Sequence, residues 1–149
     1  MVYSVLMDDF NLEKLAKEIV VERFRGIADA PAGAGLVARQ IVSKAVNGTA
    51  ARQSPRDSVV ATCRGLMSGM LLLEKDLPRT AVAILSQMTL VAEATHQDPA
   101  ELMTWAIEGI APVAKLAGRN VCESCEAAIE AAFMGAGQVF ASTCDAAGA

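Results

Sequence analysis

The sequence predicts an all-α fold: a compact single domain over residues 1–149, built as a bundle of about six mostly antiparallel helices. Three observations lead there. Apolar residues recur at helical spacing in segment after segment, and no stretch alternates as a strand would. Helix-start signals fall at Ser54-Pro55, Asp76-Leu-Pro78, Asp98-Pro99 and near Asn120, giving helices of matching length joined by tight turns. Residues are 53% hydrophobic but only 4% aromatic, so Ala, Val, Leu, Ile and Met carry the apolar excess, and such small or flexible side chains suit closely packed helices.

Residues 8–25 form an amphipathic N-terminal helix, opened by Asp9 or Asn11. Leu12, Leu15, Ala16, Ile19, Val20 and Phe24 share one face, while Glu13, Lys14, Lys17, Glu18, Glu22 and Arg25 share the other. Residues 26–35 are rich in Gly, Ala and Pro without a period and read as a flexible connection. A second amphipathic helix spans about 35–46, and Asn47-Gly48 ends it as a left-handed cap would. Residues 54–141 form the apolar helical core.

The core opens with the most apolar helix in the chain. Ser54 caps it, Pro55 fits the first turn and Asp57 supplies a carboxylate at N3. From Val59 to Leu73 only Thr62, Arg64 and Ser68 interrupt the apolar run, so the helix needs cover nearly all round. Gly65 and Gly69 form a small-xxx-small pair, which allows another backbone close or simply leaves room for bulky neighbours. The next helix runs from about Pro78 to Thr95, with His96 in its last turn. Another starts at Pro99, where Pro112 is expected to kink it or end it early. The last, capped by Asn120 with Glu123, presents Cys122, Cys125, Ile129, Ala132, Phe133, Ala136 and Phe140 on one face. Residues 142–149 read as a frayed tail.

Composition narrows the function classes. With 13 basic and 17 acidic residues the chain has no basic footprint for nucleic acid or an anionic membrane. The acid excess lies after residue 58, where five Lys/Arg face ten Asp/Glu. No segment is apolar for long enough to span a membrane, and Met1–Met7 lacks the marks of a secretory signal, so a cytoplasmic protein with reduced thiols is expected. No cofactor is expected.

Cys122-Glu-Ser-Cys125 is a CxxC pair on one helical face, with Cys122 near the helix start, where unpaired amides favour a thiolate. Residues 122–137 resemble a redox helix of the all-helical alkylhydroperoxidase D and carboxymuconolactone decarboxylase family, whose members carry Cys-x-x-Cys-x-x-x-His in an alanine-rich helix. That resemblance implies thiol–disulfide or peroxidase-like chemistry at Cys122 and Cys125, with Ile129 standing where the family has its histidine. A soft-metal site drawing on Cys63, Cys122 and Cys125 is a second possibility. A third is a pocket for an apolar ligand lined by Met67, Met70, Met88, Trp105 and Phe133. Glu93-Ala-Thr-His96 has di-iron spacing, but a chain with one histidine cannot complete such a site. The leading expectation is a non-catalytic helical protein that acts as a scaffold, adaptor or coat, through self-association as a homo-oligomer or by binding an apolar partner surface.

Overall fold

Short polar side chains at helix starts set most of the boundaries of this fold. The structure, a computed structural model, describes residues 11–47 and 54–147. The expected start at residue 8, the Gly48 cap and the polar segment Thr49 to Gln53 lie outside the described residues.

Among the described residues the chain is all-helical, with seven helices and no strand. Helix α1, Leu12–Arg23, is capped by Asn11, whose Oδ1 accepts from the Glu13 and Lys14 amides at 2.8 and 3.3 Å. Helix α2, Ala30–Asn47, begins inside the segment expected to be a flexible connection. Its start resembles the others once seen: Asp29 accepts from the Ala32 amide at 3.5 Å, and Pro31 occupies the first turn.

Helix α3, Pro55–Leu72, opens as expected, with Ser54 Oγ accepting from the Asp57 amide at 3.1 Å. Helix α4, Leu77–Thr95, is capped by Asp76 and stops where His96 turns left-handed at φ 58°. Helix α5, Pro99–Ala117, is capped by Asp98 and continues through Pro112 to its natural stop at Gly118, so the proline does not end it early.

The expected last helix is two. Helix α6, Arg119–Ala132, lies directly after Gly118 with no side-chain cap, so Asn120 sits in its first turn rather than capping it. The chain turns at Phe133 to Gly135, with Gly135 at φ 92°, and helix α7 follows over Ala136–Ala147. Thus most of the segment expected to fray is helical. Glu130 explains how α7 starts: its carboxylate accepts from the Gly135 amide (2.9 Å to Oε2) and the Gly137 amide (3.0 Å to Oε1), doing the work of a cap from the preceding helix.

The helices pack next but one. Helices α1, α3, α5 and α7 lie side by side in one layer, and α2, α4 and α6 in another. Consecutive helices also touch, but no described helix touches one three or more places along. Two pairs of layer neighbours, α2 with α4 and α1 with α3, run the same way. Between α2 and α4, Lys75 Nζ donates to the Ile27 carbonyl at 3.2 Å, Arg79 pairs with Asp29 at 3.6 Å, and Gly35 lies against Ala83, in ascending order along both. Between α1 and α3 the Glu13 backbone lies on Gly65, then Lys17 and Val20 on Gly69.

This neighbour-only packing is the signature of a stacked repeat. The unit shows in the sequence once the layers are known: Ser54-Pro55 and Gly65 on α3 recur 44 positions later as Asp98-Pro99 and Gly109 on α5. The two glycines do the same job, Gly65 receiving the backbone of α1 and Gly109 that of α3. Helix α3 touches α1, α2, α4 and α5, and buries Val59, Cys63, Leu66, Met67 and Met70 completely. The cover its sequence demands is therefore supplied by the same chain.

Candidate functional site

The chemistry-bearing residues converge where α6 and α7 meet the end of α5. Gly118 breaks α5 and lets α6 start at once, which places Cys122 near the beginning of α6, its amide donating to the Gly118 carbonyl at 3.0 Å. On α7 the spacing Ala136, Phe140, Cys144 puts one side chain per turn against the rest of the molecule, and Phe140 and Cys144 are buried there.

Cys122 and Cys144 meet Sγ to Sγ at 3.0 Å. Cys144 Sγ also reaches the Ala111 carbonyl of α5 at 3.8 Å, and Lys115 Nζ donates to the Cys144 carbonyl at 2.9 Å. Both thiols border a surface pocket of about 410 Å³, whose rim carries Lys115 and Arg119 as cations and Glu123, Glu126 and Asp145 as anions. Cys122 is half-buried and the nearer of the pair to water, while Cys144 is almost covered.

Burial sets the acidity of these thiols. It pushes Cys144 up to about 12, with the hydrogen bond to Cys122 adding to the rise and the Lys115 ammonium opposing it. Cys125, fully buried behind the pair, is likewise pushed up to about 12, first by burial and then by the neighbouring Cys122. Cys144 and Cys125 are therefore held as neutral thiols at ordinary pH, because a thiolate in an apolar setting loses its hydration without a compensating charge.

The CxxC reading placed the chemistry on Cys122 and Cys125; the structure gives Cys122 its close sulfur contact with Cys144 instead. Cys144 falls in the segment read as a frayed tail, although its spacing from Ala136 and Phe140 continues a helical period. Cys63, the third member of the soft-metal set, is buried on α3 against Gly109, with burial raising it to about 12. Among the described residues no group of three or more His, Cys, Asp or Glu is arranged to hold a metal ion.

The residues expected to line an apolar pocket occupy the core. Met67, Met70 and Met88 are completely buried, while Trp105 and Phe133 are half-buried against the same cluster. None borders the thiol pocket, whose one large apolar residue is Phe140. The burial of the three methionines follows from the layered packing, which brings α3 and α4 to the middle of the stack. His96 stands exposed as the left-handed cap of α4.

No described helix is long and apolar enough to cross a membrane. Comparison with protein-family models, with curated proteins and with solved structures finds no match to this chain.

Proposed function

We infer that the protein works without catalysis, as a helical scaffold or adaptor in the cytoplasm that associates with copies of itself through an apolar edge. Consecutive helices run antiparallel in this reading, so the C-terminal ends of α3 and α5 share one edge of the stack. One observation carries it. Leu72 ends α3 at 60% exposed, and Leu116, 44 positions on in the last turn of α5, is 79% exposed. The repeat thus sets a large apolar side chain at the same place in successive units, on neighbouring helices that run the same way. A recurring apolar edge is what an association surface requires, whereas scattered exposed leucines are ordinary.

The charged outer face of α6 fits the same reading. The outer face of α6 carries Glu123, Glu126 and Glu130, which keep that side soluble. Three of the four cysteines, Cys63, Cys125 and Cys144, are buried thiols, and the one histidine serves as a helix cap, which gives an enzyme little to work with.

Sedimentation of the wild-type chain should show a species heavier than one 15.6 kDa copy at high micromolar concentration, and L72E combined with L116E should return it to a single copy with its helical content unchanged. A wild-type protein that sediments as one copy throughout that range overturns the proposal.

A further inference from the structure

We propose that Cys122 and Cys144 are a redox-sensitive dithiol, which a low-molecular-weight disulfide converts to an intramolecular disulfide that ties α7 to α6. The inference stands apart from the association edge, since neither cysteine lies on it. It rests on two features of one place: two sulfurs 3.0 Å apart on different helices, and a pocket of about 410 Å³ that brings solvent to them.

The approach is closer than ordinary contact between unbonded sulfurs and needs about 1 Å of further movement to reach bonding distance. Both partners sit on helices that end or begin nearby, so small shifts of α7 suffice. Cys122 enters the reaction first, because it is half-buried at the pocket while Cys144 is covered and held protonated. The rim offers both cations, Lys115 and Arg119, and carboxylates, Glu123, Glu126 and Asp145, which can meet the carboxylates and ammonium groups of a small disulfide such as oxidised glutathione.

The exchange balances without another reactant. Cys122 gives its proton to water and its sulfur attacks one sulfur of the small disulfide; that S–S bond breaks, and the first small thiol leaves as a thiolate that takes up a proton. Cys144 then loses its proton and attacks Cys122 Sγ, the mixed disulfide breaks, and the second small thiol leaves and is protonated. Two protein thiols are oxidised to one disulfide and one small disulfide is reduced to two thiols. Cys125 stays behind the pair as a buried thiol, and the soft-metal and CxxC roles are not needed.

The test uses the full native chain incubated with oxidised glutathione, trapped with an alkylating reagent and cleaved by a glutamate-specific protease. Glu123, Glu126 and Glu130 separate the three cysteines into different peptides, so the linkage is read directly by mass. The expected result is a peptide joining Cys122 to Cys144, reversed by dithiothreitol, with Cys63 and Cys125 alkylated only after unfolding. C144S should halt at a glutathione adduct on Cys122; C122S should leave Cys144 unmodified; C125A should form the link as the wild type does. Circular dichroism checks that each variant is folded. A link between Cys122 and Cys125, a persistent glutathione adduct without a link in the wild type, or no loss of thiols at all overturns the proposal.

Discussion

Gly65 and Gly109 turn a single methyl group into a test of the packing. In the middle of a solvated helix, Gly to Ala stabilises by about 1 kcal/mol because alanine is the better helix former. Here a Cβ at Gly65 would overlap the Glu13 carbonyl of α1, and one at Gly109 would overlap the Val60 carbonyl of α3. Backbone cannot yield as a flexible side chain does, so the helices must separate. Gly65→Ala and Gly109→Ala are each expected to destabilise by roughly 1–3 kcal/mol, read as a lower urea midpoint with little change in slope. An unchanged or raised midpoint would show that α1 does not lie on α3 as described. The sequence offered both readings of Gly65 and Gly69, close approach or spare room, and could not choose, because the choice depends on which helix lies opposite.

Helix starts were legible wherever the cap and the first-turn proline stood beside a long apolar run, as at Ser54-Pro55 and Asp98-Pro99. Asp29-Ala-Pro31 carries the same chemistry as Asp76-Leu-Pro78, but its surroundings of Gly and Ala hide the period, and α2 begins there unannounced. The break between α6 and α7 failed for the opposite reason. Its apolar period runs on through Phe133, Ala136 and Phe140, and only Gly135 at positive φ marks the turn. The device that makes this turn work is Glu130, whose carboxylate receives two free amides at the start of α7. Glu130→Ala should therefore cost about 1 kcal/mol of stability, the usual range for a lost cap. It should also loosen α7 enough that Cys144 reacts faster with a thiol reagent in native buffer, while Cys63 does not. Equal reactivity of Cys144 in the two proteins would show that α7 is held by its packing on α5 and α6 without the cap.

At the scale of the molecule, helix content and burial of the middle segments could be read from spacing and composition, but the layered order could not. The 44-residue spacing is carried by only a cap, a first-turn proline and a contact glycine, too few positions to stand out before the layers are known. The layered order predicts how the protein opens. Helices α3, α4 and α5 have layer neighbours on both sides, whereas α1, α2, α6 and α7 have one on one side only. Burial follows suit: α1 buries only Ala16 and Val20 and α6 only Cys125 and Ile129, against nine residues of α3 and eight of α5. Local opening is governed by such differences. Hydrogen exchange followed by mass spectrometry should thus find α1, α6 and α7 exchanging well before α3, α4 and α5. The Cys122–Cys144 link supplies its own control. Closing a loop of this length is worth about 3 kcal/mol, so oxidation should slow exchange in α6 and α7 while α1, at the far end, keeps its rate. Exchange at one common rate in all helices would mean that the stack opens as a single unit, and that a bond at one end must protect both.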